Sequence, residues 1–234
     1  MSVKSTPERT AVSYTHLDYV VKNTEYQLDS PDNQNMSSVF LNGKSACAGY
    51  AKSLVYLLRQ SGMEAMYVTG TTGGVAHAFV MARIDGELYY IDPTMDDTVF
   101  EEGQSDFTTY VNSPYLCVTT EMLKVSHTID EDYYPLPVCD STDANYHAVQ
   151  GLLFNENSAQ TRDALREALR TAVENKHHLG AAVAQTDHAG EIVVHGAADD
   201  VADGDGDKCC LLYTSQRLVQ QSHHPGRVGG AGSI

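Results

Sequence analysis

The chain has 234 residues, of which 42% are hydrophobic and 20% are charged, a composition typical of a globular protein with a sizeable core. The 15 basic and 31 acidic residues give a formal net charge of −16, which argues against any function that neutralises nucleic-acid phosphates. We expect no membrane insertion, because no run approaches the roughly 18 apolar residues that a spanning helix needs. No signal peptide is recognisable, but a truncated N-terminus would hide one, so the compartment stays open.

The cysteine pattern indicates reduced thiols rather than a disulfide framework or a zinc site. The chain has five cysteines, an odd number at irregular spacings without a CxxC pair, so at least one thiol is free. Cys117 and Cys139 could pair in an extracellular protein, but we favour two reduced, half-buried thiols. We expect no metal ion and no cofactor.

Two helices are predicted in the first quarter of the chain. Residues 17–21 and the polar residues after them indicate a short helix, and the polar stretch 29–35 is typical of a surface loop. Over residues 46–61 apolar side chains recur at the i, i+3, i+4, i+7 spacing of an amphipathic helix. Ser45 is available as its N-cap, and Gly62 lies just beyond its end as the expected C-cap.

Three runs rich in β-branched and aromatic residues follow this helix, at 65–69, 75–84 and 87–91. Asp85-Gly86 lies between the last two runs and is a strong signal for a tight hairpin turn. A helix followed by antiparallel strands predicts an α+β domain.

The composition divides the chain into three parts. Residues 14–140 form the predicted main domain. Residues 141–190 form a small appended α/β segment of unknown role, with a helix at 162–175 and a strand near 180–186. Residues 191–234 are rich in Gly, Asp and His without periodicity, and residues 209–215 resemble translated adapter sequence. We expect this last part to be disordered or non-native.

Cys47 is the one cysteine whose neighbours indicate a chemical role. It lies in the first turn of the predicted helix 46–61, where unsatisfied backbone N–H groups and the helix dipole favour a thiolate over a thiol. The small residues Ala46, Ala48 and Gly49 leave its sulfur approachable. A cysteine at a helix start is still more often inert than reactive, so the position alone does not establish a nucleophile.

His77 and Asp92 are brought together by the predicted hairpin. If Asp85-Gly86 forms a two-residue loop, paired residue numbers sum to 171, and Asp92 lies opposite Phe79. His77 is two residues from Phe79, so it shares a sheet face with Asp92 as its diagonal neighbour. A loop with an odd number of residues would push the two side chains to opposite faces.

A cysteine triad follows if the helix start packs against that face. Cys47 would then be the nucleophile, His77 the base and Asp92 the acid that orients the imidazole. The alternative is a surface histidine beside a strand-end aspartate, with the cysteine buried elsewhere. Spacing alone does not decide between the two.

Three segments around these residues carry a resemblance to a known family. They are residues 43–51 (GKSACAGYA), 76–80 (AHAFV) and 89–97 (YYIDPTMDD). In this order, and with spacings of 30 and 15 residues between Cys47, His77 and Asp92, they resemble the three motifs of the transglutaminase-like superfamily, particularly of its bacterial members. The resemblance covers roughly residues 17–98 and continues more loosely to 146.

The resemblance implies a papain-like α+β core, with the nucleophile at a helix N-terminus packed on an antiparallel sheet and a small helical appendage after it. It also implies that Cys47 attacks an amide carbonyl, that His77 acts as base and then as acid, and that Asp92 orients His77. An acyl-thioester on Cys47 would be resolved by water in a hydrolase or by a primary amine in an acyltransferase. Family members are often secreted or associated with the cell envelope.

Two departures from the family pattern weaken a protein-crosslinking role. Many transglutaminases have an aromatic residue after the motif histidine and a Trp near the nucleophile, whereas this chain has Ala78 and no Trp. The backbone N–H of Cys47 could still stabilise an oxyanion together with a side chain of the preceding loop. Candidate donors are Gln34, Asn35 and Asn42, and none is preferred.

The predicted function is therefore a cysteine-dependent amide hydrolase or acyltransferase that acts on peptides or proteins. The alternative is a catalytically silent protein- or glycan-binding module that retains the fold. Residues 84–123 contain nine acidic residues and no Lys or Arg, which would favour a lysine-containing substrate or an amine acceptor. A solvated acidic face is the more common meaning of such a run. The other histidines considered, at 147, 177, 178, 195, 223 and 224, are expected on the surface.

Overall fold

Two long helices and two short strands precede the main sheet. The computed structural model describes residues 8–97, 113–132, 135–154, 159–174, 179–183, 192–196 and 213–214. Helix α1 spans Glu8–Lys22 and helix α2 spans Cys47–Gln60. Between them, strands β1 (Glu25–Tyr26) and β2 (Lys44–Ser45) pair in parallel, and a π-helical turn spans Ser38–Asn42.

Helix α1 is longer than the helix predicted at 17–21. Its buried face includes the small hydroxyl residues Thr10 and Ser13 besides Leu17 and Val20. A search for apolar periodicity therefore finds only its second half. The first half is fixed by Asp85 of the β-hairpin, whose carboxylate accepts hydrogen bonds from the Thr10 N–H (3.1 Å) and hydroxyl (2.7 Å).

The predicted boundaries of helix α2 are right within one residue at each end, but the predicted N-cap is wrong. The N-cap is Ala46, which has no side-chain cap hydrogen bond. The Ser45 hydroxyl is instead hydrogen-bonded to the Asn33 carbonyl (2.8 Å) and to Ser38 Oγ (2.5 Å). Gly62 follows the helix with a φ of 75°, in the left-handed conformation that a C-terminal glycine supplies.

A five-stranded antiparallel sheet has the strand order β6-β5-β4-β3-β7. Its strands are β3 (Glu64–Thr72), β4 (Val75–Ile84), β5 (Glu87–Ile91), β6 (Leu116–Val118) and β7 (His127–Ile129). The predicted hairpin is confirmed: Ile84 pairs with Glu87 and Val80 pairs with Ile91. Because these residue numbers sum to 171, the predicted register is also confirmed.

The two faces of the sheet bury separate hydrophobic clusters. On one face, Ala78, Val80, Ala82 and Ile84 of β4 pack with helices α1 and α2. On the other face, Phe79 and Met81 pack with Tyr90, Tyr115 and Val118. The alternation along β4 and β5 puts His77 and Asp92 on the second face.

Helix α2 therefore packs on the face opposite to that of His77 and Asp92, which differs from our expectation. Only its first turn reaches them. The body of the helix covers the alternate residues of β4, while the Cys47 side chain meets His77 near the start of that strand.

Shorter elements complete the described chain. They are α3 (Thr120–Lys124), α4 (Tyr146–Val149), β8 (Leu153–Phe154), α5 (Ala159–Glu174), β9 (Leu179–Val183), β10 (Ile192–Gly196) and β11 (Tyr213–Thr214). Strands β8 to β11 form a second sheet with the order β11-β10-β9-β8. The segment after 140 thus contains the predicted helix as α5 and the predicted strand near 180–186 as β9, together with further strands. Strands β10 and β11 fall within 191–234, and most of that range lies outside the described residues.

The main domain contacts residues beyond its predicted end at 140. The Tyr14 hydroxyl donates to the Ala144 carbonyl (2.8 Å), and the Asn145 amide donates to the carbonyls of Leu116 and Cys117. The division at 140 remains a prediction. Cys117 and Cys139 are both free and buried. Within the described part of the chain, no helix combines the length and apolar character that crossing a bilayer requires.

Candidate active site

Cys47 is the first residue of helix α2, and its side chain is only partly buried. Its sulfur accepts hydrogen bonds from the backbone N–H groups of Ala48 and Ala78, and its thiol is hydrogen-bonded to His77. Burial raises the pKa of Cys47, but the hydrogen bond and charge of His77 and the two N–H groups outweigh it, so the pKa is lowered. The site therefore favours a thiolate.

His77 lies between this sulfur and a buried carboxylate. Its Nε2 is 2.7 Å from Asp92 Oδ2, and its side chain is 6% exposed. Because Nε2 faces the carboxylate, Nδ1 is the ring nitrogen left for the sulfur of Cys47. Burial lowers the pKa of His77, but the charge and hydrogen bond of Asp92, followed by those of Cys47, raise it to about 10.

Asp92 is fully buried and accepts four hydrogen bonds. Its Oδ1 accepts from the backbone N–H groups of Thr94 (3.0 Å) and Met95 (3.1 Å). Its Oδ2 accepts from His77 Nε2 (2.7 Å) and from His127 Nε2 (2.9 Å). Burial raises the pKa of Asp92, but the charge of His77 and the hydrogen bonds from both imidazoles lower it well below its usual range.

His127 is the part of this cluster that our sequence analysis missed. It begins strand β7, which pairs with β3 on the side of β3 away from β4. Gly70 of β3 lies between β4 and β7, where a Cβ atom would meet the Thr128 carbonyl and the Phe79 ring. The alternation in residues 125–129 could have indicated a short strand, but no local signal gives its partner.

A second buried carboxyl lies one turn after Asp92. Asp96 Oδ1 accepts a hydrogen bond from the Tyr115 N–H (2.8 Å), while Oδ2 has no hydrogen-bond partner among the described residues. Burial raises its pKa well above the usual value, and the charge of Asp92 raises it further, against the lowering effect of the Tyr115 hydrogen bond. The environment of Asp96 therefore favours its neutral form, whereas that of Asp92 favours the charged form.

The His77, Asp92 and His127 side chains are also a group that could hold a metal ion, since their ligand atoms lie within 4.8 Å of one another. The same atoms already match as two N–H donors and one carboxylate acceptor at hydrogen-bond distances. We therefore interpret the cluster as a hydrogen-bonded charge network.

Two phenols from neighbouring elements lie near the sulfur. The charge of Cys47 adds to the effect of burial in raising the pKa of Tyr26 and of Tyr67. The Lys52 ammonium lies 5.4 Å from the centre of the Tyr67 ring and donates to the Gln34 carbonyl (2.7 Å). A cation thus lies against one of the two phenols.

The three candidate oxyanion donors differ in position. The loop that contains Gln34 and Asn35 lies against the first turns of α2, since a Cβ on Gly49 would meet the Asn35 carbonyl at 3.0 Å. Asn42 ends the π-helical turn and is exposed. Among the described residues, the hydrogen-bond partners of Cys47 are His77, Ala48 and Ala78, and none of these three candidates is among them. The side-chain donor to the oxyanion therefore remains a prediction.

The structure buries residues from two groups that were predicted to lie on the surface. His147 is buried, at 1% exposure, in helix α4. Among the nine acidic residues of 84–123, Asp92, Asp96 and Asp97 are buried and do not belong to an exposed acidic face. Residues 177, 178, 223 and 224 and the side chain of residue 195 lie outside what the structure describes.

A family comparison agrees with the arrangement of these residues. The model of the Transglutaminase-like superfamily matches residues 2–93, which include Cys47, His77 and Asp92. This part of the chain belongs to the transglutaminase-like superfamily. Membership and the α+β fold are as predicted, and they support cysteine-based catalysis in general terms. No curated protein matches the chain at a significant level.

Several solved structures are similar to parts of this chain. A candidate cysteine protease from Cytophaga hutchinsonii is 24% identical with a TM-score of 0.33, over 35% of this chain and 30% of that one. A TGase is 23% identical with a TM-score of 0.35, over 44% and 30%. An arylamine N-acetyltransferase from Bacillus cereus, described with a Cys-His-Glu catalytic triad, is 18% identical with a TM-score of 0.26, over 40% and 44%. The matches span less than half of each of these proteins.

Proposed function

We propose that the protein is a cysteine-dependent amide hydrolase or acyltransferase that acts on peptide or protein amides through an acyl-thioester on Cys47. The observation that supports this most directly is the hydrogen-bonded order Cys47, His77, Asp92, in which the pKa of the thiol is lowered and that of the imidazole is raised to about 10. Both shifts favour a thiolate and imidazolium pair over a thiol and a neutral imidazole.

In the proposed first half-reaction, the Cys47 thiolate attacks the carbonyl carbon of the amide and the carbonyl electrons move to oxygen. The Cys47 N–H, at the first position of the helix, is available to stabilise this oxyanion. When the intermediate collapses, the C–N bond breaks and the His77 Nδ1–H gives its proton to the leaving amine. The products are the amine and a thioester on Cys47, and His77 is then neutral.

In the second half-reaction, water or a primary amine attacks the thioester. His77 Nδ1 takes the proton of the attacking group, the C–S bond breaks and the Cys47 thiolate is restored with the imidazolium. Asp92 holds Nε2 throughout and so keeps Nδ1 directed at the reaction. We favour water as the acceptor, because the described residues around Cys47 show no feature that excludes it.

The substrate class is less constrained than the chemistry. A preference for lysine-containing substrates was predicted from the acidic residues of 84–123, yet three of them are buried and Lys52 lies against the Tyr67 ring. A cation beside Tyr67, whose phenol interacts with Cys47, works against a cationic acceptor and is indifferent to a neutral amide. We therefore propose a neutral peptide amide as the acyl donor.

The reactivity of Cys47 can be tested without a known substrate. Iodoacetamide should alkylate it at about pH 6, well before Cys117 and Cys139, because burial raises the pKa of Cys117 far above its usual value and that of Cys139 to about 11. Peptide-resolved mass spectrometry reads the three sites in one sample. His77→Ala should slow only the Cys47 reaction, and Cys47→Ala should abolish it.

An acyl adduct provides the direct evidence for turnover. Incubation with a peptide library, with and without an added amine, should leave an adduct on Cys47 whose release product is an acid with water and an amide with the amine. Slow alkylation at all three cysteines, with no adduct, would contradict the proposal and favour the silent binding module.

A further inference from the structure

A second imidazole contacts the acid of the proposed triad from the side away from the sulfur. His127 Nε2 is 2.9 Å from Asp92 Oδ2, and neither side chain is exposed to solvent. The two imidazole rings have centroids 5.6 Å apart, and the His127 ring also packs edge-on against Phe79 and Tyr115. His127 is thus fixed in orientation and does not touch the reacting sulfur.

The hydrogen bonds behind His127 fit one neutral tautomer of its ring. His127 Nδ1 is 2.8 Å from Ser126 Oγ, which is 2.8 Å from the Tyr115 hydroxyl. In the neutral tautomer that donates from Nε2 to Asp92, Nδ1 accepts from the Ser126 hydroxyl, whose oxygen accepts from Tyr115.

We infer that His127 is a positioning residue that holds Asp92 ionised and directed at His77 throughout the reaction, an inference that rests on the proposed function. The two backbone N–H groups occupy only Oδ1 of Asp92, so Oδ2 would have His77 as its single donor if His127 were absent. When His77 gives up its proton, Asp92 stays charged and shut off from water. The N–H of His127 stabilises the carboxylate at that stage.

Other titratable groups face this cluster and must be separated from His127 in any pH experiment. Asp96 interacts with Asp92 through its charge, Tyr115 packs against His127, and Tyr26 interacts with both Cys47 and Asp92. Burial and the charges of Cys47 and Asp92 raise the pKa of Tyr26 above its usual value, so Tyr26 does not titrate at acidic pH. Asp96 is the one that could contribute to an acid limb, and Asp96→Asn removes its titration while keeping an oxygen for the Tyr115 N–H.

Two substitutions of His127 form a matched pair. In His127→Gln the amide nitrogen lies near the position of Nε2 and can still donate to Asp92. In His127→Asn the amide lies near the position of Nδ1, so it can reach Ser126 but not Asp92. The two variants have similar polarity. The probe is iodoacetamide, whose rate of reaction with Cys47 is measured from about pH 4 to pH 8 in each variant, alone and with Asp96→Asn.

The acid limb of this profile is the deciding measurement. In His127→Asn the midpoint pH of the acid limb should rise by roughly one unit, because Asp92 loses a buried donor. Alkylation at a pH below the midpoint is then about tenfold slower. In His127→Gln the midpoint should stay within about 0.3 unit of the wild type. Equal shifts in both variants, or a shift in neither, would overturn the inference while leaving the proposed function intact.

Two further measurements separate a failure of the proposed function from a failure of the inference about His127. If His77→Ala leaves the wild-type alkylation profile unchanged, the proposed function fails, and the role of His127 fails with it. If a His127 variant does not fold, ¹⁵N-histidine NMR of the wild type decides, since it should show His127 protonated at Nε2 and not at Nδ1 at neutral pH. The opposite tautomer would overturn the inference.

Discussion

Two histidines contact the same oxygen of Asp92, and their surroundings give them different chemistry. On what we call the reaction side, His77 has a polarisable sulfur beyond it and a side chain that is 6% exposed. On the far side, His127 has Ser126 and Tyr115 beyond it and no exposure. The residue type and the acceptor are the same, so the difference comes from what lies on the other ring nitrogen.

This difference explains why a second histidine can stabilise the acid without competing for the proton in transfer. On the reaction side, Asp92 and then the Cys47 sulfur next to Nδ1 stabilise the imidazolium, so the pKa of His77 is raised. On the far side, a hydroxyl supplies a hydrogen for Nδ1 and favours the neutral ring. The proton therefore moves on one side of Asp92 only, and each prediction below disturbs one side or both.

The largest effect is expected for Asp92→Asn, which disturbs both sides. The Thr94 and Met95 N–H groups would hold the amide oxygen at Oδ1, so the amide nitrogen would face both imidazoles. Both Nε2 atoms would then have to be acceptors, and His77 Nδ1 would carry a hydrogen and be unable to take a proton. We expect kcat/KM for a peptide that acylates Cys47 to fall by about 10⁴.

Asp96→Asn is the matched control for that variant. Asp96 is as buried as Asp92 and lies in the same turn, but burial raises its pKa and favours the neutral form, and its Oδ1 acceptor is retained in asparagine. Its kcat/KM should stay within about threefold of the wild type. Similar losses in the two variants would mean that the loop, and not the charge of Asp92, governs activity.

The reaction side could be predicted from the sequence because its parts are local. Helix α2 follows from apolar periodicity, and the pairing of His77 with Asp92 follows from a two-residue turn at Asp85-Gly86 and an even count of residues. The docking of the helix could not be predicted in detail. Its body packs on the opposite face of the sheet, and the sulfur reaches His77 only at the strand start.

The far side could not be predicted because it depends on a non-local strand pairing. His127 is 35 residues from Asp92 in the chain and reaches it through the pairing of β7 with β3. A three-residue strand has too little pattern to fix its partner, and the only hint is a glycine in β3. Buried Asp96 was missed for a related reason, since composition suggests a charged surface where the structure has a neutral interior acid.

An effect of intermediate size is expected on the free energy of unfolding. It comes from His77, on the reaction side alone. The folded state raises the pKa of His77 to about 10, so its protonation stabilises the fold fully below its unfolded pKa of roughly 6.5, and this contribution is lost as the pH rises through about 10. In a Cys47→Ala background, which removes the thiol titration, His77→Gln should reduce the free energy of unfolding most at about pH 6 and least near pH 10. Urea denaturation at both pH values measures the difference.

His16 provides a control in which the pH dependence of stability has the opposite sign. Burial lowers its pKa, so protonation disfavours the folded state, and His16→Gln should gain relative stability as the pH falls below about 6.5. As the pH falls, the two histidine variants should therefore change in opposite directions, His77→Gln between about pH 10 and 6.5 and His16→Gln below about pH 6.5. If His77→Gln follows the trend of His16→Gln, the imidazolium at position 77 is not paired with Asp92 in solution.

The smallest effect is expected at the outer end of the far side. Tyr115→Phe removes the hydroxyl that donates to Ser126, but the Ser126 hydroxyl can still donate to His127 Nδ1, so the tautomer of His127 is retained. We expect the acid limb of Cys47 alkylation to move by less than about 0.3 unit, far less than in His127→Asn. A shift as large as that of His127→Asn would mean that the Tyr115 hydroxyl, and not the position of the imidazole, determines how Asp92 is held. The far side would then be a proton relay rather than a fixed support.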